Sequence, residues 1–220
     1  MIAENYKKVM TEISRAVERV GRSAADVKLI AVTKTVGIET VRQAAGLGIT
    51  DFGENRVQEA EEKVRTLPDL NWHFIGHLQS NKARDVISHY GLIHSLDRLS
   101  LAKALQRCAE KTDQIVDTLI QVNVSGEESK FGLEPEKLAG FIEHLAYFDR
   151  IKVKGLMTMA PFVDEPEEVR PCFKKLRELR DAHAKAGLQL AELSMGMTND
   201  YVIAVEEGAT MVRIGSALFN

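Results

Sequence analysis

The chain of 220 residues reads KLIAVTK over residues 28–34, an apolar run that ends on a lysine. A run of this length and composition predicts a buried strand. A helical pattern follows over residues 38–47, and Gly48 is placed as a helix stop. The unit of strand, loop and helix is the one from which parallel sheets are built, and it recurs along the rest of the chain.

Eight such units can be counted, and no run rich in Pro, Gly or Ser separates two halves of the chain. The predicted strands cover residues 28–34, 51–54, 72–76, 92–95, 115–124, 151–159, 191–197 and 210–214. The predicted helices cover residues 2–20, 38–47, 56–65, 81–88, 99–111, 135–148, 166–186 and 200–207. Eight units favour closure into a single α/β domain, a (β/α)8 TIM barrel over residues 1–220 with an extra N-terminal helix. No Gly-x-Gly-x-x-Gly fingerprint follows the first strand, which disfavours a Rossmann sheet.

Composition and charge exclude several classes of function. The chain is 45% hydrophobic and 28% charged, with a formal net charge of -3, so no global field attracts nucleic acid or an anionic membrane. No stretch is apolar enough to be a signal peptide or to span a bilayer. His73 and His77 lie on a strand and its loop rather than on one helix face, so we expect no metal site. We expect a soluble, cytoplasmic protein.

In a barrel of this kind, ligands bind at the carboxyl ends of the strands, and the loops after strands seven and eight commonly hold phosphate. Lys34 and Asn55 follow the first and second strands, and residues 194–198 and 215–216 follow the last two. Lys34 has the parity of Ile30 in the strand. If that side faces the interior, partial desolvation lowers the pKa of the amine towards the neutral nucleophile that imine formation needs. The alternative is a lysine that projects into water.

The segments after the last two strands have both a binding and a structural interpretation. In SMGMT, residues 194–198, Gly196 allows close backbone approach and the following helix offers free amides to an anion. Thr198 could instead cap that helix, and Ser194 could be a satisfied buried hydroxyl. Arg213 lies in an apolar strand, as a donor to a ligand ring nitrogen or in a structural ion pair. Asn55 either faces the site or caps the helix that begins at Arg56.

An amine opposite a phosphate site suggests a phosphorylated aldehyde held as a Schiff base. Six blocks in order, spread over essentially the whole chain, resemble the YggS/PROSC family of pyridoxal phosphate homeostasis proteins. These are residues 31–35 (AVTKT), 52–59 (FGENRVQE), 72–82 (WHFIGHLQSNK), 155–159 (GLMTM), 194–200 (SMGMTND) and 212–219 (VRIGSALF). One small departure is Val36-Gly37, where many relatives have a proline.

The resemblance implies a barrel like the N-terminal domain of alanine racemases, with pyridoxal 5′-phosphate (PLP) as cofactor. Lys34 matches the lysine of the internal aldimine, Arg213 the partner of the pyridine nitrogen, and Asn55 a position near the ring. The phosphate is expected at Ser194, Thr198, Gly215 and Ser216. Gly196 and Met197, in the same segment, complete the expected cofactor-binding residues.

The resemblance also implies a carrier rather than an enzyme. Related racemases have a second, β-rich domain and donate a tyrosine across a dimer interface, and this chain stops at Asn220, directly after strand eight. We therefore expect a monomer that buffers PLP and passes it to PLP-dependent apo-enzymes, with no catalytic residues. The alternatives are a single-domain PLP-dependent amino-acid racemase with Lys34 as one base, and a cofactor-free Schiff-base aldolase. An interaction module leaves the convergent residues unexplained.

Overall fold

The computed structural model describes residues 1–127, 130–185 and 189–220. Within these ranges, parallel strands pair in the order of the chain and close β8 onto β1, as a (β/α)8 barrel. The strands are β1 (Lys28–Val32), β2 (Asp51–Glu54), β3 (Asn71–Phe74), β4 (Leu92–Leu96), β5 (Val116–Gln121), β6 (Ile151–Met157), β7 (Glu192–Ser194) and β8 (Met211–Ile214). The predicted fold class is confirmed.

Helices lie between the strands on the outside of the barrel. They are α1 (Ile2–Arg19), α2 (Ile38–Gly46), α3 (Val57–Thr66), α4 (Ala83–Ile87), α5 (Leu99–Thr112), α6 (Leu138–Leu145), α7 (Arg170–Lys185), α8 (Tyr201–Glu206) and α9 (Ser216–Phe219). The predicted long helix over 166–186 begins as a separate 3₁₀ turn, Pro166–Val169, and residue 186 lies outside the described ranges. No helix among the described residues is both long and apolar enough to cross a membrane.

The extra N-terminal helix packs on the end of the chain. Val9, Ile13, Ala16 and Val17 of α1 are buried and share one helical face. The Asn5 side-chain amide donates hydrogen bonds to the Leu218 and Asn220 carbonyl oxygens, at 3.1 and 3.0 Å. Helix α1 therefore joins the two ends of the chain across the closure between β8 and β1.

The core has two layers. The larger layer lies between the sheet and the helices and includes Phe52, Trp72 and Phe173. A small apolar cluster fills part of the barrel interior: Ile30, Leu92, Leu119, Met157 and Met211. The rest of the interior is polar, because β2, β3, β4, β7 and β8 each place a buried polar or charged side chain there.

The predicted strands overshoot at their carboxyl ends. Strand β1 ends at Val32 rather than residue 34, β6 at Met157 rather than 159, and β7 at Ser194 rather than 197. The apolar residues beyond these points continue the sequence pattern but leave the sheet and form loops. These loops build the site described next.

Candidate functional site

A cavity of about 670 Å³ opens at the carboxyl ends of the strands, and we name it the carboxyl-end cavity. Its walls come from the loops after β1, β2, β3, β5, β6, β7 and β8 together with residues of β1, β5 and β8. The expected binding residues that line it are Lys34, Asn55, Met197, Thr198, Arg213, Gly215 and Ser216. Of the expected set, Ser194 and Gly196 do not line the cavity.

Lys34 lies in a turn after β1, and its side chain lines the cavity while remaining exposed. The predicted extension of the strand to Lys34 was wrong, because β1 ends at Val32. Of the two alternatives that the sequence left open for the amine, the structure shows a lysine that projects into water. The neighbouring Thr33 is the residue that becomes buried. Lys34 therefore stands at the mouth of the cavity and is open to solvent.

A buried ion pair holds the turn that carries Lys34. The Lys63 Nζ lies 2.5 Å from Glu54 Oε1 and donates to the backbone carbonyl oxygens of Thr33 at 2.7 Å and Val36 at 3.2 Å. The Thr33 hydroxyl also donates to Glu54 Oε1, at 2.7 Å. All three N–H groups of the ammonium are thus engaged, and two of them fix carbonyl groups on either side of Lys34.

Asn55 faces the cavity and does not cap the next helix. Helix α3 begins at Val57, its N-cap is Arg56, and no side chain caps it. The Asn55 Oδ1 atom is buried and has no hydrogen-bond partner among the residues that the structure describes. Gly76 packs so closely behind it that an added Cβ would lie 2.1 Å from the Asn55 backbone oxygen. A buried acceptor without a partner is costly, so this position suits a ligand that donates or brings water.

Arg213 is 3% exposed and forms part of the cavity wall. Its Nη1 donates to Ser194 Oγ at 2.6 Å and its Nη2 to the Thr158 carbonyl oxygen at 2.8 Å. Among the described residues no carboxylate forms an ion pair with it, so the structural ion pair considered from the sequence is absent there. Burial lowers the pKa of Arg213 to about 10, with the Asp200 carboxylate opposing the shift, so the guanidinium stays charged at neutral pH.

The residues at and just after the end of β7 mainly support the cavity wall from behind. Ser194 is fully buried behind Arg213, so it supports the arginine rather than lining the wall. Gly196 has φ +93°, and an added Cβ would lie 2.6 Å from Ala204 Cβ, so glycine is needed for α8 to pack. Asp200 accepts the Met197 backbone N–H at 2.6 Å. That amide is therefore already satisfied by the protein.

Two hydroxyl groups meet across the segments after β7 and β8. The Ser216 hydroxyl donates to Thr198 Oγ1 at 3.2 Å, and the Ala217 backbone N–H donates to the same oxygen at 3.4 Å. Thr198 is therefore not the cap of α8, whose N-cap is Asp200. Ser216 itself is exposed and both residues line the cavity, so both hydroxyls are within reach of a bound anion.

Several wall residues were not anticipated from the sequence. His77 stacks on Phe131, with ring centroids 3.9 Å apart, and burial lowers the pKa of His77 although Asp97 opposes this. Phe131, Met159 and Phe162 are all exposed at the rim. They lie in loops after strands, where the sequence pattern does not distinguish an apolar rim residue from a core residue, so only the three-dimensional arrangement identifies them.

The fold and this cavity define a protein of the alanine racemase N-terminal domain class. A sequence profile described as "Alanine racemase, N-terminal domain" matches residues 9–220. The pyridoxal phosphate homeostasis protein of Aquifex aeolicus is 47% identical over 220 residues, which cover 99% of this chain and 96% of that protein. The protein of the same name from Escherichia coli K12 is 41% identical over 232 residues, at 100% and 96% coverage. The chain belongs to this family, the YggS/PROSC pyridoxal phosphate homeostasis proteins.

Solved structures agree with the family. PipY of Synechococcus elongatus PCC7942, with PLP bound, is 35% identical and superposes with a TM-score of 0.87 over 100% of both chains. An alanine racemase of Clostridium difficile is 16% identical, with a TM-score of 0.77 over 98% of this chain and 56% of that one. At that identity the second likeness concerns the fold alone.

Proposed function

We propose that this protein binds PLP in the carboxyl-end cavity and serves PLP homeostasis by buffering the cofactor and delivering it to apo-enzymes. The observation that carries the proposal is that Lys34, Asn55, Arg213, Thr198 and Ser216 line one cavity, although they come from distant parts of the chain. The relatives' names and the PLP bound to PipY support the same conclusion.

The residues of the cavity fit a phosphorylated pyridine aldehyde. The unpartnered Asn55 Oδ1 accepts a hydrogen bond from a ligand or a bridging water. The Arg213 guanidinium donates hydrogen bonds but does not release a proton at neutral pH, so it suits a ring nitrogen that stays unprotonated. The Thr198 and Ser216 hydroxyls suit the phosphate. At about 670 Å³, the cavity has the size common for small-molecule sites.

Lys34 is the amine that we assign to the aldehyde. The Lys34 amine would hold the cofactor by condensing with its aldehyde, with the aldehyde oxygen lost as water. The turn pinned by Lys63 fixes the backbone on both sides of Lys34, while the exposed side chain keeps its own freedom. A fixed backbone and a mobile, exposed side chain favour a covalent bond to the cofactor that a second amine can displace.

Carriage rather than turnover is the role that we propose. Delivery needs an acceptor amine, such as the active-site lysine of an apo-enzyme, to reach the carbon bound to Lys34. Exposure of Lys34 at the cavity mouth meets that requirement. The curated relatives also carry homeostasis names, not racemase names. We propose a cytoplasmic monomer that acts without nucleic acid or a membrane.

The test is transfer of PLP from the loaded protein to a PLP-dependent apo-enzyme in the presence of a trap for free PLP. We expect the apo-enzyme to regain activity despite the trap, and Lys34→Ala protein to donate nothing. Chiral analysis of alanine or serine incubated with the loaded protein is the companion measurement. Measurable racemisation would support the racemase alternative and overturn the carrier role.

A further inference from the structure

A chain of hydrogen bonds crosses the barrel interior from the carboxyl-end cavity to the opposite end. Arg213 Nη1 lies 2.6 Å from Ser194 Oγ, which lies 2.9 Å from His94 Nδ1. His94 Nε2 lies 3.0 Å from His73 Nδ1, and His73 Nε2 lies 2.9 Å from Asp51 Oδ1. These residues come from five strands, and each is at most 5% exposed.

The cavity end of this hydrogen-bond row leaves the Ser194 hydrogen available to His94. A guanidinium only donates, so Ser194 Oγ accepts from Arg213 and its own hydrogen is free to point elsewhere. If His94 Nδ1 accepts that hydrogen, the proton of a neutral His94 lies on Nε2.

The Asp51 end selects this direction. The Asp51 carboxylate only accepts, so His73 Nε2 carries a proton, and a neutral His73 ring offers Nδ1 as an acceptor. His94 then donates from Nε2 and receives the Ser194 hydrogen at Nδ1, so every donor of the row faces an acceptor.

The burial and the charged neighbours of His94 and Asp51, among the described residues, favour a neutral His94 and a charged Asp51. Burial lowers the pKa of His94 well below its usual value, and the nearby His73, Arg213 and Lys28 lower it further. Burial alone would raise the pKa of Asp51, but hydrogen bonds from His73 and Thr50 and the Lys28 charge bring it to about 2. Thr50 Oγ1 donates to Asp51 Oδ2 at 2.7 Å, and the Lys28 Nζ lies 3.4 Å from Oδ1. His94 is thus neutral and Asp51 charged at neutral pH.

The chain is not a proton path into the cavity. A proton moves along such a row only if each member accepts one as it releases another, and Arg213 has no acceptor. What the chain does supply is a fixed acceptor for one N–H of Arg213, with a second N–H held by the Thr158 carbonyl oxygen. These two bonds use two of the five N–H groups of the guanidinium and set the plane in which the rest face the cavity.

We propose that Ser194, His94, His73 and Asp51 are positioning residues that hold Arg213 for the ligand, so that a charge at the amino end of the barrel affects binding at the carboxyl end. Asp51 and His73 line a second pocket of about 540 Å³, here named the amino-end pocket, which opens opposite the carboxyl-end cavity. A change there reaches Arg213 without contact with the ligand. The predicted effect on PLP affinity rests on the proposed function, whereas the direction of the hydrogen bonds from Arg213 to Asp51 does not.

The first test needs no cofactor. Nitrogen-15 NMR of histidine-labelled protein at pH 7 distinguishes the two neutral tautomers and the cation. We expect His94 as a neutral tautomer protonated on Nε2, with its peaks assigned through His94→Gln protein. A His94 ring protonated on Nδ1, or charged, overturns the proposal whether or not PLP binds.

The second test measures the Kd for PLP by titration of the absorption band. We expect Asp51→Asn to weaken binding about fivefold, a size typical of coupling through packed networks. The matched control is Asp117→Asn, a carboxylate of the amino-end pocket that pairs with Lys154 at 3.4 Å outside the chain. Asp117→Asn should change Kd by less than about twofold. Equal effects of the two variants overturn the proposal, whereas failure of the unaltered protein to bind PLP refutes the proposed function alone.

A third measurement separates positioning from packing. His94→Gln keeps one acceptor and one donor, and His94→Leu keeps neither. We expect Kd for PLP to rise about tenfold in His94→Leu and about twofold or less in His94→Gln. Equal loss in both variants would mean that the imidazole acts by shape alone, and would overturn the positioning role.

Discussion

Lys63 and Glu54 form an ion pair inside the protein, 2.5 Å from Nζ to Oε1, with side chains 8% and 0% exposed. The pair lies directly behind the turn of Lys34 and also fixes the Thr33 and Val36 carbonyl groups. A buried pair of this kind adds little net stability by itself, but it ties α3 and β2 to the turn. It sets the position of Lys34 without touching the cavity.

Replacement of Lys63 by methionine should destabilise the protein strongly. The change leaves the Glu54 charge buried without its partner, which costs about 3–5 kcal/mol of unfolding free energy. Urea unfolding monitored by circular dichroism measures it. The control is Lys137→Met, which breaks the exposed pair with Glu134 and should cost less than about 1 kcal/mol. Similar losses in the two variants would contradict the buried pair.

Gly76→Ala should disturb both the fold and the cavity. Its Cβ would lie 2.1 Å from the Asn55 backbone oxygen, so the segment carrying Asn55 must shift. We expect a loss of about 1–3 kcal/mol, as for other overpacked sites, together with weaker PLP binding. Gly140→Ala is the control, since its Cβ meets nothing within 4 Å and it lies inside α6. That variant should be neutral or gain about 0.5–1 kcal/mol. Unchanged stability and PLP affinity in Gly76→Ala would refute the close approach.

Loss of the two facing hydroxyls should reduce discrimination for the phosphate group. The double variant Thr198→Val, Ser216→Ala removes both, and each hydrogen bond to a charged group contributes about 1.5–3 kcal/mol. We expect its affinity for PLP to fall at least about tenfold while affinity for unphosphorylated pyridoxal stays nearly constant. Titration of both ligands measures the ratio, with Ser88→Ala, an exposed serine on the outside, as control. An equal fall for both ligands would place the phosphate elsewhere.

Stability should fall below neutral pH because of His94. Burial holds its folded-state pKa well below the unfolded value of 6.5. The unfolded chain therefore takes up a proton below pH 6.5 that the folded protein refuses. The stabilisation is complete above that pH and declines by about 1.4 kcal/mol per pH unit well below it. Urea unfolding at pH 7, 6 and 5 measures the slope, which should be shallower in His94→Leu. Equal slopes would show that His94 is charged in the folded protein.

Sequence alone was sufficient for the barrel because β/α alternation is a local pattern, repeated eight times, and the closed sheet follows from it. Sequence alone also predicted that Lys34, Asn55, Arg213 and Ser216 lie at one end of the barrel, since the carboxyl ends of parallel strands meet there.

The sequence was insufficient where tertiary contacts decide a side chain's surroundings. Ser194 has the right register for the cavity, yet Arg213 covers it. Lys34 continues an apolar run but lies in a turn, whose Thr33 and Val36 carbonyl groups are held by Lys63. The row of His94 and His73 gives no motif, because its members lie on separate strands and meet only inside the closed barrel.

Borohydride reduction tests most directly whether Lys34 holds PLP covalently. Reduction converts a C=N bond to a stable secondary amine, so a digest of the loaded, reduced protein should show pyridoxyl label on the peptide containing Lys34. Lys34→Ala protein, loaded and reduced in the same way, should show no pyridoxyl label on the corresponding peptide. Stoichiometric label on a different lysine, or none at all with PLP bound, would contradict the account.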